Sequence, residues 1–441
     1  MIRNTLKTIS LKKIFIKDRL GYYFFLTGIF LLPSALAISA LFFLVSIFIA
    51  FQNPLNLFKD KWNYPFFITS ILLILSTLKH FDNTDEIYKS FWDPSLSLLG
   101  LLNWIPLFLC FFGFQKYLDS PSKRIISAKL FICGSIPILI SGFLQLLNIN
   151  GPFEILNGLI IWYQKPISGS VGGIGALSGL FSNQNYAGLW MAMVWPFCLA
   201  AYNQKNLKPA HKIILLLICI SFFIFIVLTE SRNAFLGLLI STPLVLGTSC
   251  FLWYLPTVII SFSLLLITVI PIFPDEIQIF IKSIIPSRIY TKFPEIGFNN
   301  LIEYPRINKW SAALGFIIKK PLFGWGAASF PVIYKLDKGG EWFGHAHNLP
   351  LDLAVSYGIF PSLLIFSVYL LLLFETFKKF FTKKYKDSNT LIKFHKAWWA
   401  SSFVFFISHL SDVQYFDGRI SLICWILLAG LRSSLREKDA N

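Results

Sequence analysis

Two histidines and an asparagine stand close together in the segment EWFGHAHNLPLDLAVSYGIFP, residues 341–361. His345, His347 and Asn348 directly precede a long apolar run, at the place where a helix would enter a membrane. A neutral imidazole titrates near physiological pH and can take a proton from a hydroxyl group, so the pattern indicates a general base, with His347 favoured over His345. Two alternatives stay open. The three residues could simply cap a helix start, and a metal could bind if a third ligand came from elsewhere in the chain.

Basic residues in two further segments could bind an anion. Arg232 lies in TESRNAF, a turn between two apolar runs, and ionisable groups at the edge of a membrane are functional candidates by default. Arg306 would lie in the first turn of a helix, where the guanidinium group and the free backbone N–H groups favour an anion, and Lys309 follows one turn later. The alternatives are that Arg232 pairs with Glu230 or extends toward water, and that Arg306 and Lys309 form a basic face at the lipid headgroups.

A third polar segment, GALSGLFSNQNYAGLWMAMVWP at residues 175–196, leads into another apolar run. Helix capping would explain one asparagine at this position. Two of them, Asn183 and Asn185, beside a glycine-rich stretch favour contact with a ligand such as a sugar.

The sequence predicts no metal and no cofactor for this chemistry. It contains no Walker-type loop, so ATP is not implied. An Mg²⁺-dependent transferase usually holds its metal with carboxylates, and the nearest cluster on the same side is Asp82, Asp85 and Glu86. None of the six cysteines forms a CxxC pair, which argues against a zinc site and a disulfide framework. We expect arginines to neutralise charge instead.

The elements that must hold these residues are membrane spans. Of the 441 residues, 55% are hydrophobic and 14% are charged, and the mean hydropathy is +0.65. A soluble chain of this length could not bury so much apolar surface, so we expect an all-α polytopic protein with a single integral membrane domain over residues 1–441. The net charge of +17 would suit nucleic acid, but more than half of the lysines and arginines fall in the tails and short loops of one side. That asymmetry follows the positive-inside rule and indicates no nucleic-acid partner.

Twelve apolar segments predict about twelve transmembrane helices, with both termini on the cytoplasmic side. No small-residue cleavage site follows the basic N-terminal stretch, so the first span is predicted to be retained. The predicted spans are 21–33, 36–51, 64–78, 96–114, 126–147, 187–202, 212–229, 233–250, 252–272, 349–375, 396–411 and 419–431.

Two segments on the outer side, 148–185 and 272–347, are longer than turns, and long loops are usually functional. The second is predicted to be partly helical, with an interfacial helix at 276–285 and a helix over 305–326 that begins at a proline. The apolar stripe predicted for the latter helix consists of Ile307, Trp310, Leu314, Ile317 and Ile318.

Four motifs in this order resemble the O-antigen ligase and O-antigen polymerase superfamily: GLFSNQNYAG, TESRNAFLGLL, YPRINKWSAALGFIIKKPLFGWGAASF and GHAHNLPLDLAVSYGIF. The resemblance covers roughly residues 175–365. Its most specific part is the pairing of the third motif with a His–Asn at the start of the next apolar run. The chain departs from the family in two places, since GIGALSGLF lacks a basic residue that the family often has, and Ser356 stands where the family often has a glutamate.

The resemblance implies an enzyme of the bacterial inner membrane that needs neither metal nor ATP and acts on the periplasmic face. Such glycosyltransferases take a glycan from an undecaprenyl-diphosphate carrier and transfer it to a hydroxyl group of lipid A core, of a glycan or of a protein. By this resemblance Arg232 and Arg306 hold the diphosphate, His347 is the base for the acceptor hydroxyl, and His345 is a helper or a spectator. Substrate contacts are predicted for His345, Asn348, Asn183, Asn185 and Lys309.

Two consequences of this mechanism are expected. Attack on the anomeric carbon from the face opposite the leaving group would invert its configuration. The lipid tail of the donor, like the surrounding membrane lipids, would lie between spans, in a groove near the span 349–375.

A transporter for a small anion such as bicarbonate is the alternative from another class, because many spans with charged groups at membrane depth would also suit transport. Such a transporter should contain paired broken helices in two related halves, and the sequence has no such internal symmetry. The long outer segment with its arginine and histidines favours catalysis.

Overall fold

The fold is almost entirely helical. The computed structural model describes residues 18–51, 59–81, 91–167, 176–247, 250–270, 272–284, 305–339, 342–382 and 389–437. The helices are α1 (18–31), α2 (Leu36–Ala50), α3 (Tyr64–Phe81), α4 (Ser95–Leu101), α5 (Ile105–Gln115), α6 (Pro121–Gly134), α7 (Ile136–Leu146), α8 (Gln184–Tyr202), α9 (Pro209–Leu228), α10 (Arg232–Leu246), α11 (Phe251–Val269), α12 (Asp275–Ile284), α13 (Pro305–Lys319), α14 (Phe330–Lys338), α15 (Leu349–Tyr357), α16 (Ile359–Phe377), α17 (Asn389–Ser408) and α18 (Gly418–Arg436).

The expectation of an all-α fold is confirmed, and the first long outer segment adds one short β-hairpin. Strand β1 (Phe153–Ile155) pairs antiparallel with β2 (Ile160–Trp162), and Glu154 lies opposite Ile161. β-Branched and aromatic side chains favour extended backbone. The connecting turn contains Asn157 and Gly158, both with positive φ, a pair that is typical of tight hairpins.

Six stretches of the described chain are long and apolar enough to cross a membrane: Ser95–Gln115, Pro121–Leu146, Pro209–Leu228, Phe251–Thr268, Ile359–Thr382 and Gly418–Arg436. Each of the twelve predicted spans falls on a helix or on a pair of consecutive helices. These helices are those of a polytopic membrane protein. The number of times that the chain crosses the membrane stays a prediction.

Three predicted spans are broken into two helices each. The break at Leu102–Trp104 separates α4 from α5, and the break at Ser135 separates α6 from α7. In both cases a proline near the first position of the second helix ends the hydrogen-bonded ladder. The predicted span 349–375 breaks at Gly358, which has a φ of +94° that favours glycine.

The break at Gly358 receives the end of the outer helical segment. The Trp325 N–H donates to the Val355 carbonyl at 2.8 Å, and the Ile359 N–H donates to the Pro321 carbonyl at 2.9 Å. These hydrogen bonds fix α13 and the turn after it against the junction of α15 and α16, which matters because α13 and α15 both carry candidate site residues.

The apolar core has two parts. The larger one lies in the helix bundle, where α8 is buried over nearly its whole length between α10 and α17. The smaller one lies under the outer segment and joins α13, α14 and α15. Its members include Trp92, Ala312, Ala313, Phe316, Ile317, Phe330, Val332, Ile333, Ala346 and Val355.

The predicted helices of the outer segment are confirmed, with α13 ending at Lys319, and most of the predicted apolar stripe of α13 lies on its exposed side. Ile307, Leu314 and Ile318 are 42%, 51% and 78% exposed. Of the predicted stripe only Ile317 is buried. The other buried residues of this helix are Lys309, Ala312, Ala313 and Phe316. Apolar residues occupy several faces of this helix, so their spacing does not identify the face that is buried. The small alanines allow α13 to approach α15 closely.

Charged residues of the basic loops gather at the C-terminal end of α18. Arg124 forms two hydrogen bonds with the Glu437 carboxylate, at 2.6 and 2.9 Å, and the carboxylate of Asp60 accepts from Arg432 and Arg436. Helix α18 has 19 residues and is about 28 Å long. Its opposite end begins at the loop that contacts His347, so the basic end and the histidines lie at opposite ends of this helix.

Candidate active site

His347 lies against a carboxylate from a distant part of the chain. Its Nδ1 donates to Oδ1 of Asp412 at 2.9 Å. Asp412 belongs to the loop 409–417 between α17 and α18, here called the outer loop. The same carboxylate also accepts the Val413 N–H at 3.0 Å and the Gln414 side-chain N–H at 3.0 Å. Because Nδ1 carries the donated hydrogen, Nε2 is the basic nitrogen of His347.

Asp412 is held in its ionised form. Burial is the largest influence and alone would raise the pKa of this carboxyl, but the hydrogen bonds from His347 and the Val413 N–H, together with electrostatic interactions with the two imidazoles, outweigh burial and lower the pKa below its usual value. An ionised carboxylate at Nδ1 fixes the tautomer of an imidazole and stabilises the imidazolium that forms when Nε2 takes a proton. This arrangement leaves Nε2 of His347 able to accept a proton.

His345 has a different electrostatic character from His347. Burial is the largest cause that lowers the pKa of His345 to about 4, and the nearby charges of His347, Lys309 and Arg306 act in the same direction. His345 is therefore neutral at pH 7. Its Nδ1 accepts the backbone N–H of His347 at 3.2 Å, and the two rings lie 4.3 Å apart. In this geometry His345 orients the backbone of His347.

Residues 343–348, here called the histidine turn, are clamped between two helices. His347 has a φ of +52°, in the left-handed region that non-glycine residues seldom adopt. The Trp310 side chain of α13 donates to the His347 carbonyl at 3.2 Å. The Asp352 carboxylate of α15 accepts the N–H of Ala346 at 3.1 Å. Strained backbone persists where the surroundings over-determine it, and such positions cluster at functional sites.

Asn348 joins the histidine turn to the outer loop. Its side-chain oxygen caps α15 by accepting the Leu351 N–H at 3.0 Å, and its amide donates to the Leu410 carbonyl at 2.9 Å. The next residue, Leu349, donates its N–H to the His409 carbonyl at 2.8 Å. Asn348 therefore caps a helix start, which was the alternative interpretation of the sequence. Its contact with substrate stays a prediction.

Arg306 and Lys309 lie on α13 beside the histidine turn. Arg306 is partly exposed in the first turn and lies four residues before Trp310, on the same side of the helix. Both cations act electrostatically on His345. Lys309 is only 5% exposed and places its Nζ 3.5 Å from the centre of the Phe343 ring, a cation–π contact within the histidine turn. Two cationic side chains of α13 therefore lie beside the histidine turn.

Arg232 begins the helix whose next residue contacts the outer loop. It is exposed and is the first residue of α10, after the capping residue Ser231. The next residue, Asn233, donates to the Ser408 carbonyl at 3.4 Å and accepts from the Ser411 hydroxyl at 3.0 Å. The start of α10 is thus bound to the outer loop one residue before Asp412.

The first motif adjoins this group through the start of α8. The Asn183 side chain caps α8 by accepting the Asn185 N–H at 2.7 Å. A Cβ atom on Gly188 would lie 2.9 Å from side-chain atoms of Ser231 and Ala234, so the first turns of α8 and α10 are in close contact. Capping is the geometry observed for Asn183, and its binding of a sugar, like that of Asn185, stays a prediction.

His345, His347 and Asp412 are also the one group in the described part of the chain with the composition of a metal site, with ligand atoms within 4.8 Å of one another. The third ligand is one that the sequence spacing did not indicate. However, Nδ1 of both histidines and Oδ1 of Asp412 already take part in the hydrogen bonds described above, and a metal at these atoms would have to break them. The arrangement fits a base oriented by a carboxylate better than a chelate. All six cysteines are free.

Comparison with protein-family models matches residues 215–367 to the O-antigen ligase family. The matched family is one of enzymes that transfer lipid-linked glycans. No curated protein matches the chain. The matched segment contains Arg232, Arg306 and both histidines of the turn, whereas Asn183 and Asp412 lie outside it.

The sequence analysis missed the residues that the outer loop contributes. Asp412 and Gln414 belong to none of the four motifs. The acidic cluster that was singled out, at 82–86, lies outside the described residues. A signal was present in SHLSDVQYFDGR, residues 408–419, which places a histidine and two aspartates between two apolar runs on the predicted outer side. Without the fold, nothing in that short loop connects Asp412 to His347.

Proposed function

We propose that this protein transfers a glycan from an undecaprenyl-diphosphate carrier to an acceptor hydroxyl group, without metal and with inversion at the anomeric carbon. The observation that carries the proposal is the His347–Asp412 pair beside Arg306 and Lys309. It combines a base poised for a hydroxyl proton with fixed cations for a diphosphate.

In the proposed reaction the acceptor oxygen attacks the anomeric carbon while Nε2 of His347 takes its proton. A new carbon–oxygen bond forms, and the bond between the anomeric carbon and the diphosphate oxygen breaks. The electron pair leaves with the lipid diphosphate, whose negative charge is stabilised by Arg306 and Arg232. Asp412 stabilises the imidazolium until its proton passes to water. A single displacement of this kind inverts the configuration.

We further propose that the candidate site faces the periplasm and that the chain crosses the bacterial inner membrane about twelve times. The support is the separation along α18, where charged residues of the basic loops cluster at one end and the outer loop adjoins the other. By the positive-inside rule the basic end is cytoplasmic. The acceptor would then be lipid A core, a growing glycan or a protein.

Purified protein in detergent, supplied with an undecaprenyl-diphosphate-linked oligosaccharide and a hydroxyl-bearing acceptor, tests the proposal. We expect transfer that resists EDTA and falls about 10²- to 10⁴-fold in His347→Ala, since a general base contributes about that much. Arg306→Ala should also be impaired. His211→Ala removes an exposed histidine at the start of α9 and should leave the rate unchanged. Full activity in His347→Ala, or bicarbonate uptake by proteoliposomes without glycan transfer, would contradict the proposal.

A further inference from the structure

A cavity of about 610 Å³ lies between α13 and α14 of the outer segment. Small residues of α13 make room for it, since Ser311 and Ala312 lie four and three residues before Gly315 and share a face of the helix with it. Among the described residues, and apart from the adjacent backbone of its own helix, a Cβ atom on Gly315 would meet no atom within 4 Å. Glycine also destabilises a helix interior relative to alanine. The open space at Gly315 is therefore explained neither by packing nor by helix stability.

The wall of this cavity offers both hydrogen-bond donors and acceptors. Asn308 and Ser311 of α13 can each donate and accept, and the Asp337 carboxylate of α14 accepts. Oxygen atoms of that carboxylate lie 3.5 Å from Nζ of Lys319 and 3.1 Å from Nζ of Lys338. A small anion would meet this carboxylate beside the lysines, and an acyl chain would displace water from the polar groups without replacing its hydrogen bonds. Neither ligand matches the wall.

A sugar ring matches both the polar and the apolar parts of the wall. Its hydroxyl groups donate and accept hydrogen bonds, and its C–H face can pack against apolar and aromatic surface. Ala312, Phe316 and Tyr334 supply that surface and are buried. We propose that this cavity, here called the α13–α14 cavity, binds sugar units of a glycan substrate, an assignment that rests on the proposed function.

The position of the α13–α14 cavity indicates which sugar units it would bind. Helical geometry places Asn308 about 160° around α13 from Arg306, which lies beside the histidine turn. Tyr334 of α14 contacts Phe343 of the histidine turn, with ring centres 5.7 Å apart. The cavity and the histidine turn are thus separated by the thickness of one helix, about 10 Å. A glycan that reacts at His347 reaches the cavity only with sugar units beyond the first, so the cavity should favour long glycans of the donor or of the acceptor.

The matched pair Gly315→Phe and Leu314→Phe tests the assignment by activity. Open space at Gly315 lets a phenylalanine ring fill the cavity, whereas Leu314 is 51% exposed and is not part of the wall. With a donor that carries several sugars, we expect Gly315→Phe to raise the donor KM about tenfold at nearly constant kcat and Leu314→Phe to match the wild type. With a donor that carries a single sugar, both should match the wild type.

The same comparison with long and short acceptors distinguishes the two sources of the glycan. A length-dependent rise in the donor KM assigns the cavity to the donor glycan, and such a rise in the acceptor KM assigns it to the acceptor glycan. Equal kinetic constants of Gly315→Phe and Leu314→Phe for every donor and acceptor would overturn the assignment.

Photolabelling gives a second readout that does not need catalysis. The donor glycan and the acceptor glycan, each freed from its carrier and fitted with a diazirine, serve as the two probes. At least one should label peptides containing 305–319 and 330–338, and the label should decrease in Gly315→Phe and with an excess of the unmodified glycan. Such labelling without any glycan transfer would retain the glycan site and reject the proposed function. Transfer without labelling there by either probe, or labelling that the unmodified glycan does not reduce, would overturn the assignment and leave the proposed function intact.

Discussion

Replacement of Asp412 by asparagine separates the proposed base from its orienting carboxylate with little change in shape. In the native structure the carboxylate accepts from His347 Nδ1 at 2.9 Å, from the Val413 N–H and from Gln414. Asparagine keeps one acceptor oxygen but loses the negative charge that stabilises the imidazolium. The substitution should therefore affect the chemical step and leave donor binding at Arg306 largely intact.

The magnitude follows from the geometry of the pair. At 2.9 Å and an effective dielectric constant of about 20, the Coulomb attraction between imidazolium and carboxylate is about 6 kcal/mol, which is an upper bound because water competes for both groups. Hydrogen bonds to charged groups contribute about 1.5–3 kcal/mol net. With Asp412 8% exposed and His347 25% exposed, we expect a value in that range. It corresponds to a fall in kcat of about ten- to a hundredfold.

The assay is single-turnover transfer from a lipid-linked oligosaccharide, in which Asp412→Asn should lower the rate about ten- to a hundredfold because the imidazolium that forms has lost its anion. Asp417→Asn is the matched control and should keep the wild-type rate, since Asp417 is also 8% exposed and lies in the same loop but pairs with Arg419. An unchanged rate in Asp412→Asn would refute the reasoning.

Three further predictions test neighbouring residues. Arg306→Lys keeps the charge but loses the bidentate fork, so kcat/KM for the lipid-linked donor should fall about tenfold or more, and a wild-type value would contradict diphosphate binding there. His345 has a pKa of about 4 in the folded state against 6.5 for an unperturbed histidine, so the unfolded chain binds more protons between these values and stability should rise with pH through that window. His345→Gln should flatten this rise in thermal melting curves, and an identical pH dependence in both proteins would refute it. Asn348→Ala should lower Tm by removing a cap worth about 1 kcal/mol and the bond to Leu410, whereas Asn348→Ser should recover part of the loss; equal melting temperatures would argue against the capping role.

Much of the helical layout could be predicted from the sequence because lipid imposes strong constraints on it. Every span predicted from long apolar runs and charged loops falls on a helix or on two consecutive helices. Pro305 begins α13 as expected. The rotation of α13 could not be predicted. In a membrane protein an apolar side chain may face either the core or lipid, so Ile307, Leu314 and Ile318 gave a periodic signal for a face that the structure leaves exposed.

The site was predictable only in part, for a related reason. The sequence indicated His347 and Arg232 because each lies at the border of an apolar run, where a charge is expensive, and Arg306 because it lies in the first turn of a helix. Asp412 lies at a similar border, but it is 65 residues from His347 in the chain, and only the packing of the outer loop against the histidine turn brings the two together. A pairing between loops is a property of the tertiary fold, and one sequence carries no local signal for it.

The left-handed backbone at His347 connects these observations. A glycine would adopt a φ of +52° without strain, yet the chain places there a side chain whose conformation costs about 1–3 kcal/mol. The cost is offset by hydrogen bonds that converge on the turn from α13, from α15 and, through Asn348, from the outer loop. The same bonds that stabilise the strained turn also hold Nδ1 of His347 toward Asp412. A base whose tautomer and orientation are fixed in advance needs no reorganisation when the acceptor arrives, which is the condition under which a histidine at a membrane surface can act efficiently.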